Sequence, residues 1–131
     1  MDANTRWPRT AFLGLGALGA PMATRLLAAG VPLTVHNRTP ARAEPLREAG
    51  ARMATDPAAA VQGAALIGLC LSDDRAVRSV LEAAMPALAP GSLVVDFSTI
   101  APATSVAMAE QLTSSGVAYL DAPVTGGTEG A

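Results

Sequence analysis

The residues able to do chemistry fall in a few short clusters. The first is "GLGALG", in which Gly14, Gly16 and Gly19 stand in G-x-G-x-x-G spacing between an apolar run and an Ala-rich stretch. Gly14 permits a tight turn, and Gly16 lets the backbone approach a pyrophosphate where a Cβ would collide. Gly19 lets the next helix pack close to the preceding strand. A helix opening here, through Ala17 and Leu18, offers free N–H groups and a partial positive charge to phosphates. Taken alone, the motif is equally a ligand-free turn; the strand before it and the helix after it give it weight.

The second cluster, "HNRTP", closes the next apolar run. A carboxylate at this position would accept hydrogen bonds from the ribose 2′-hydroxyl of NAD. None is present. Arg38 instead offers a planar fork of donors to a 2′-phosphate, with Asn37 and Thr39 as neutral donors and Arg42 as a further cation. The expected cofactor is therefore NADP(H). Arg38 as a solvated turn residue is the bland alternative, and His36 reads as filling space at a strand end.

In an open α/β sheet the ligand lies beyond the carboxyl ends of the strands, so three later segments belong to the same cleft. "LSDD" places Leu71 and Ser72 by the cofactor ribose. "DFSTI" brings the hydroxyls of Ser98 and Thr99 near a nicotinamide. "DAPVTGG" offers the Thr125 hydroxyl and the N–H groups of Gly126 and Gly127 to a carboxylate-bearing small substrate. Asp73 and Asp96 read as helix caps or loop braces, and Asp121 as fixing its own loop.

The elements that must position these residues are legible as alternation. Apolar runs at "TAFLGLG", "VPLTVHN", "ARMA", "AALIGLCL", "SLVVDFS" and "VAYLD" alternate with Ala-rich amphipathic stretches. Unbroken rather than alternating apolar strands imply a parallel sheet covered on both faces. The expected class is α/β, a Rossmann-type doubly wound, mostly parallel sheet. Leu18, Met22 and Leu26 share a face of the first helix, which Gly30 ends. Thr39 and Pro40 signal a helix start, but Pro45 puts the regular helix near Glu44 or kinks it. Asp56 caps a short helix, and Ser72 or Asp73 the next, with Val77, Val80, Leu81 and Ala84 inward. Pro102 opens a helix with Val106, Ala109 and Leu112 inward.

A chain of 131 residues and formal charge −2 makes one domain. Its nine cations are all Arg and scattered, which speaks against nucleic acid. A single cysteine, Cys70, rules out an internal disulfide and suits a reducing compartment. No apolar run is long enough to span a membrane, and "MDANTRWPR" lacks the apolar core of a signal peptide. The cytoplasm is the expected location. Residues 1–9 read as an extension, with Trp7 covering some core edge.

"GLGALGAPMATRLLAAG", "HNRTP", "DFSTIAP" and "DAPVTGGTEGA" together resemble the β-hydroxyacid dehydrogenases, the group of 3-hydroxyisobutyrate dehydrogenase and the tartronate and succinic semialdehyde reductases. The N-terminal part of that family is the NADP-binding domain of 6-phosphogluconate dehydrogenase type. The resemblance runs from Thr10 to Ala131. It implies Gly14, Gly16 and Gly19 at the pyrophosphate, and Asn37, Arg38 and Thr39 at the 2′-phosphate. It puts Leu71 and Ser72 at the ribose, Thr99 at the nicotinamide, and Thr125, Gly126 and Gly127 at the substrate. The implied reaction is hydride exchange between a small β-hydroxyacid or its semialdehyde and nicotinamide.

The family's catalytic Lys lies downstream, and an all-helical domain that forms the dimer follows it. This sequence contains no Lys. The expectation is a dinucleotide-binding domain over residues 10–131, incomplete at its C-terminus and lacking the helical domain. It carries no catalytic residue of its own, binds cofactor without turnover, and can self-associate through an uncovered sheet edge. Two other readings stay open: an imine reductase-type NADPH-binding domain, against which the carboxylate-binding loop speaks, and a nonenzymatic nucleotide-binding module.

Overall fold

Each apolar run becomes a strand, and glycines stop most of the connecting segments. The computed structural model describes residues 6–124. In chain order the elements are β1 (Thr10–Leu13), α1 (Gly19–Ala28), β2 (Leu33–His36), α2 (Glu44–Glu48), β3 (Arg52–Met53), α3 (Pro57–Val61), β4 (Leu66–Leu69), α4 (Asp74–Ala84), β5 (Leu93–Asp96), α5 (Pro102–Thr113) and β6 (Ala118–Asp121). The strands form one sheet in the order β3-β2-β1-β4-β5-β6, and every pairing is parallel. Chain order reverses between β1 and β4, which opens a crevice at their carboxyl ends.

Both faces of the sheet are covered. One core packs Leu13, Ile67, Leu69 and Val94 against Val61, Val77, Leu81, Met108 and Leu112. The other packs Phe12, Leu15, Leu33 and Val35 against Ala23 and Leu46, with Met22 and Leu26 at its margin. A parallel sheet demands this double cover, because neither face can be left to water.

Local chemistry sets the boundaries. β1 stops at Leu13 because Gly14 turns the chain at φ +102°. Regular α2 begins at Glu44, so Pro45 occupies its first turn, where no N–H is needed; a 3₁₀ turn over Pro40–Arg42 absorbs the earlier proline. Asp56 caps α3 by accepting the Ala59 N–H at 2.8 Å, and Asp73 rather than Ser72 caps α4 by accepting the Ala76 N–H at 2.8 Å.

Two expectations change. α5 buries Thr104, Met108 and Leu112, while Val106 is 57% exposed and Ala109 only half-buried. Trp7 is exposed rather than laid over the core, and its indole N–H donates to the Ala29 carbonyl at the end of α1. Among the described residues no helix is long and apolar enough to cross a membrane.

Candidate functional site

The turn between β1 and α1 is held from below. The Gly14 N–H donates to the His36 carbonyl at 3.0 Å, and the Leu15 N–H donates to Asn37 Oδ1 at 2.8 Å. The next four N–H groups, of Gly16, Ala17, Leu18 and Gly19, have no acceptor among the described residues, and intrahelical bonding resumes with Ala20 to the Gly16 carbonyl. Unpaired donors at a helix start form a cradle for an anion. The three glycines differ in what surrounds them. A Cβ on Gly14 would strike the Cys70 carbonyl, and one on Gly19 would strike the Gly14 carbonyl. A Cβ on Gly16 would meet nothing within 4 Å, because that position faces the open cleft.

The end of β2 supplies the other wall. Asn37 is already committed: besides accepting from Leu15, its Nδ2 donates to the Thr39 carbonyl at 3.0 Å. It buckles the two turns together rather than standing free as a donor. Arg38 is exposed at the cleft, with Arg42 beside it. His36 Nδ1 lies 3.2 Å from the Ala54 carbonyl, a contact that ties β2 to the segment after β3.

The third wall comes from β4 and β5. Ser98 is buried, and its Oγ accepts the Leu71 N–H at 2.8 Å. The Ser98 hydroxyl therefore supports Leu71 from beneath. Asp96, fully buried, accepts the Ser98 N–H through Oδ1 at 2.9 Å and the Tyr119 hydroxyl through Oδ2 at 2.7 Å. It is a brace, as expected, but not a helix cap. Burial, then the bond to Asp96, holds the Tyr119 phenol far above its ordinary pKa. Burial and the nearby Asp96 carboxylate likewise raise the Cys70 thiol, so Cys70 stays an inert member of the wall.

The resulting cleft encloses about 1110 Å³ and is lined by Gly14, Gly16, Asn37, Arg38, Leu71 and Ser72, but not by Ala17, Leu18 or Gly19. Thr39 and Thr99 are exposed but lie outside its lining. Thr125, Gly126 and Gly127 lie outside the described residues. The motifs gave no sign of Arg75 and Ser79, which line the cleft from α4. Their spacing was the available signal: Arg75, Ser79 and Ala83 form an i, i+4 stripe beside the buried Val77, Leu81 and Ala84. Among the described residues no group of His, Cys, Asp or Glu could hold a metal.

Unpaired N–H groups at the switch point of a parallel sheet suit a dinucleotide, and the comparison with known families agrees. Residues 9–131 match the NAD binding domain of 6-phosphogluconate dehydrogenase. The chain belongs to that family. Among relatives of this NAD-binding domain, the NAD-dependent L-serine dehydrogenase of Pseudomonas aeruginosa is 41% identical over 92% of this chain and 42% of its own length. A Mycobacterium tuberculosis 3-hydroxyisobutyrate dehydrogenase, solved with L-serine, superposes with a TM-score of 0.91 at 32% identity, over 95% of this chain and 43% of that one. A reductive aminase from Aspergillus terreus, solved with NADPH and ethyl levulinate, gives a TM-score of 0.85 at 34% identity, over 93% and 42%. The chain thus spans about two-fifths of the length of these relatives.

Proposed function

We propose that this domain binds NADP(H) for an oxidoreductase that exchanges hydride with a small β-hydroxyacid or its semialdehyde. One observation carries the cofactor choice: β2 ends without a carboxylate, and Arg38 is exposed at the cleft with Arg42 beside it. The unpaired N–H groups of Gly16 to Gly19 would hold the pyrophosphate. Arg38, with Thr39 and Arg42, would pair with the 2′-phosphate through charge-assisted hydrogen bonds. Leu71 and Ser72 would border the ribose, with Leu71 fixed by Ser98, and Thr99 would lie towards the nicotinamide.

When bound, the cofactor supplies the hydride. The chain's own part is to orient it and to exclude water along the Leu71 wall. Thr125, Gly126 and Gly127 would receive the substrate carboxylate. In the family that the sequence resembles, a Lys protonates the developing alkoxide, and this sequence contains no Lys. We therefore propose binding without turnover for this chain, residence in the cytoplasm, and self-association along β6, whose Leu120 is 52% exposed. An imine reductase-type domain is the second reading, favoured by the likeness to the reductive aminase.

Titration with NADPH and NADH tests the cofactor choice. An exposed Arg–phosphate pair is worth about 1.5–3 kcal/mol, or roughly tenfold to a hundredfold in affinity. NADPH should bind tighter by that factor, and Arg38→Ala should erase most of the difference. Equal affinities in the unmutated chain would overturn the proposal.

A further inference from the structure

A cavity of about 370 Å³ opens at the amino ends of the strands, the opposite end of the sheet from the cleft. Arg9, Arg52, Thr34 and Gln62 line it, and among the described residues no Asp or Glu does. The register explains why the two cations line one space. Arg52 pairs with Thr34 and Thr34 with Ala11, so Arg52 shares the face of the sheet that α3 covers. Arg9 immediately precedes β1, and its carbonyl accepts the Ala65 N–H at 2.9 Å, which pins the backbone beneath it. Its guanidinium lies over the turn that closes α3, 3.1 Å from where a Cβ on Gly63 would stand. Glycine at 63 turns the chain at φ +76° and clears that space. Among the described residues no carboxylate lies within ion-pair distance of Arg9 or Arg52.

Two arginines lining one concave space raise a local positive potential. Their planar forks match oxyanions bidentately, and Thr34 and Gln62 add neutral donors. We propose that this cavity is a second anion site, separate from the dinucleotide cleft, for a small multiply charged oxyanion: a phosphate compound or a di- or tricarboxylate. Occupation from there would join the amino ends of β1 and β3 to the end of α3.

The test follows backbone ¹H–¹⁵N and Arg Nε resonances of the 131-residue chain during titration with inorganic pyrophosphate and, separately, citrate. Saturable shifts are expected at Thr34, Arg52, Gln62 and Gly63. The tighter ligand distinguishes phosphate from carboxylate chemistry. Arg9→Gln and Arg52→Gln should each weaken binding about tenfold, the loss of one exposed charge-assisted pair. Gln62→Glu should abolish it by placing a carboxylate in the cavity. All three side chains are exposed, and the same spectra report whether each variant is folded. Shifts confined to Gly16 and Arg38, no saturable shift, or affinities unchanged in the variants would overturn the proposal. Because the readout is resolved by position, it does not depend on what the cleft binds.

Discussion

Replacing Gly16 separates binding from folding. A Cβ there meets nothing within 4 Å, and Gly16 is not among the glycines with positive φ. Gly16→Val should therefore change stability by no more than about 0.5 kcal/mol, the range of surface substitutions that break no specific contact. At ~2.1 cal/mol/K per residue, that is roughly 2 °C in melting temperature for a chain of this length. The valine would fill the space in front of the unpaired N–H groups. Losing two charge-assisted bonds to the pyrophosphate costs about 3 kcal/mol or more, over a hundredfold in Kd. Gly14→Ala and Gly19→Ala should behave oppositely, since each new Cβ meets a carbonyl oxygen of the backbone, which cannot swing away. Overpacking of that kind, with left-handed strain added at Gly14, costs about 3 kcal/mol, roughly 10 °C. The assay is NADPH fluorescence titration alongside thermal melting followed by circular dichroism. If Gly16→Val melts as low as Gly19→Ala, or keeps NADPH affinity within about threefold of the parent against the hundredfold expected, the assignment of that turn is wrong.

Three further outcomes are expected. The purified chain should bind NADPH yet not oxidise it with succinic, tartronate or methylmalonate semialdehyde; because a placed acid contributes ~10²–10⁴-fold, a rate within about tenfold of a full-length relative would refute this. The Thr104 hydroxyl, at 2.6 Å, and then the Ala101 N–H, at 3.0 Å, hold the Asp74 carboxyl below its ordinary pKa of 3.8. The stability it adds is then complete above the unfolded-state pKa and is lost as pH falls through the lower folded value. Asp74→Asn should flatten the acid limb of melting temperature against pH, and identical limbs would count against the bond. At micromolar concentration the chain should sediment as dimers or larger species, since among the described residues β6 pairs with β5 alone and an unpaired strand edge is a template for pairing; Leu120→Lys should shift it towards monomer, and a parent that is already monomeric would contradict the idea.

The fold was legible because it rests on signals that survive in one dimension: unbroken apolar strands, proline and aspartate at helix starts, and glycines where the chain turns. The rotation of α5 was not. Its Ala-rich sequence presents several faces of similar hydrophobicity, so periodicity alone could not choose among them. A polar contact settles it, because the Thr104 hydroxyl donates to Asp74 at 2.6 Å and turns Val106 outward. Ser98 shows the same limit. A hydroxyl at a strand end reads alike whether it faces a ligand or, as here, accepts a neighbouring N–H beneath the rim. Arg75 went unseen because its signal was a helical stripe and not a motif.

The Asn37 buckle bears on how such a domain could change cofactor over evolutionary time. Exchanging its amide for a carboxylate would be the shortest step towards reading a ribose hydroxyl. Asp at 37 could still accept the Leu15 N–H, but the contact with Thr39 would then set carboxylate oxygen against carbonyl oxygen at a separation of 3.0 Å. The step that alters preference would also loosen the turn beside the phosphate cradle. Mutational paths that first alter position 38 or 39 avoid this penalty, so the architecture channels drift in specificity away from the residue that looks most directly placed to control it.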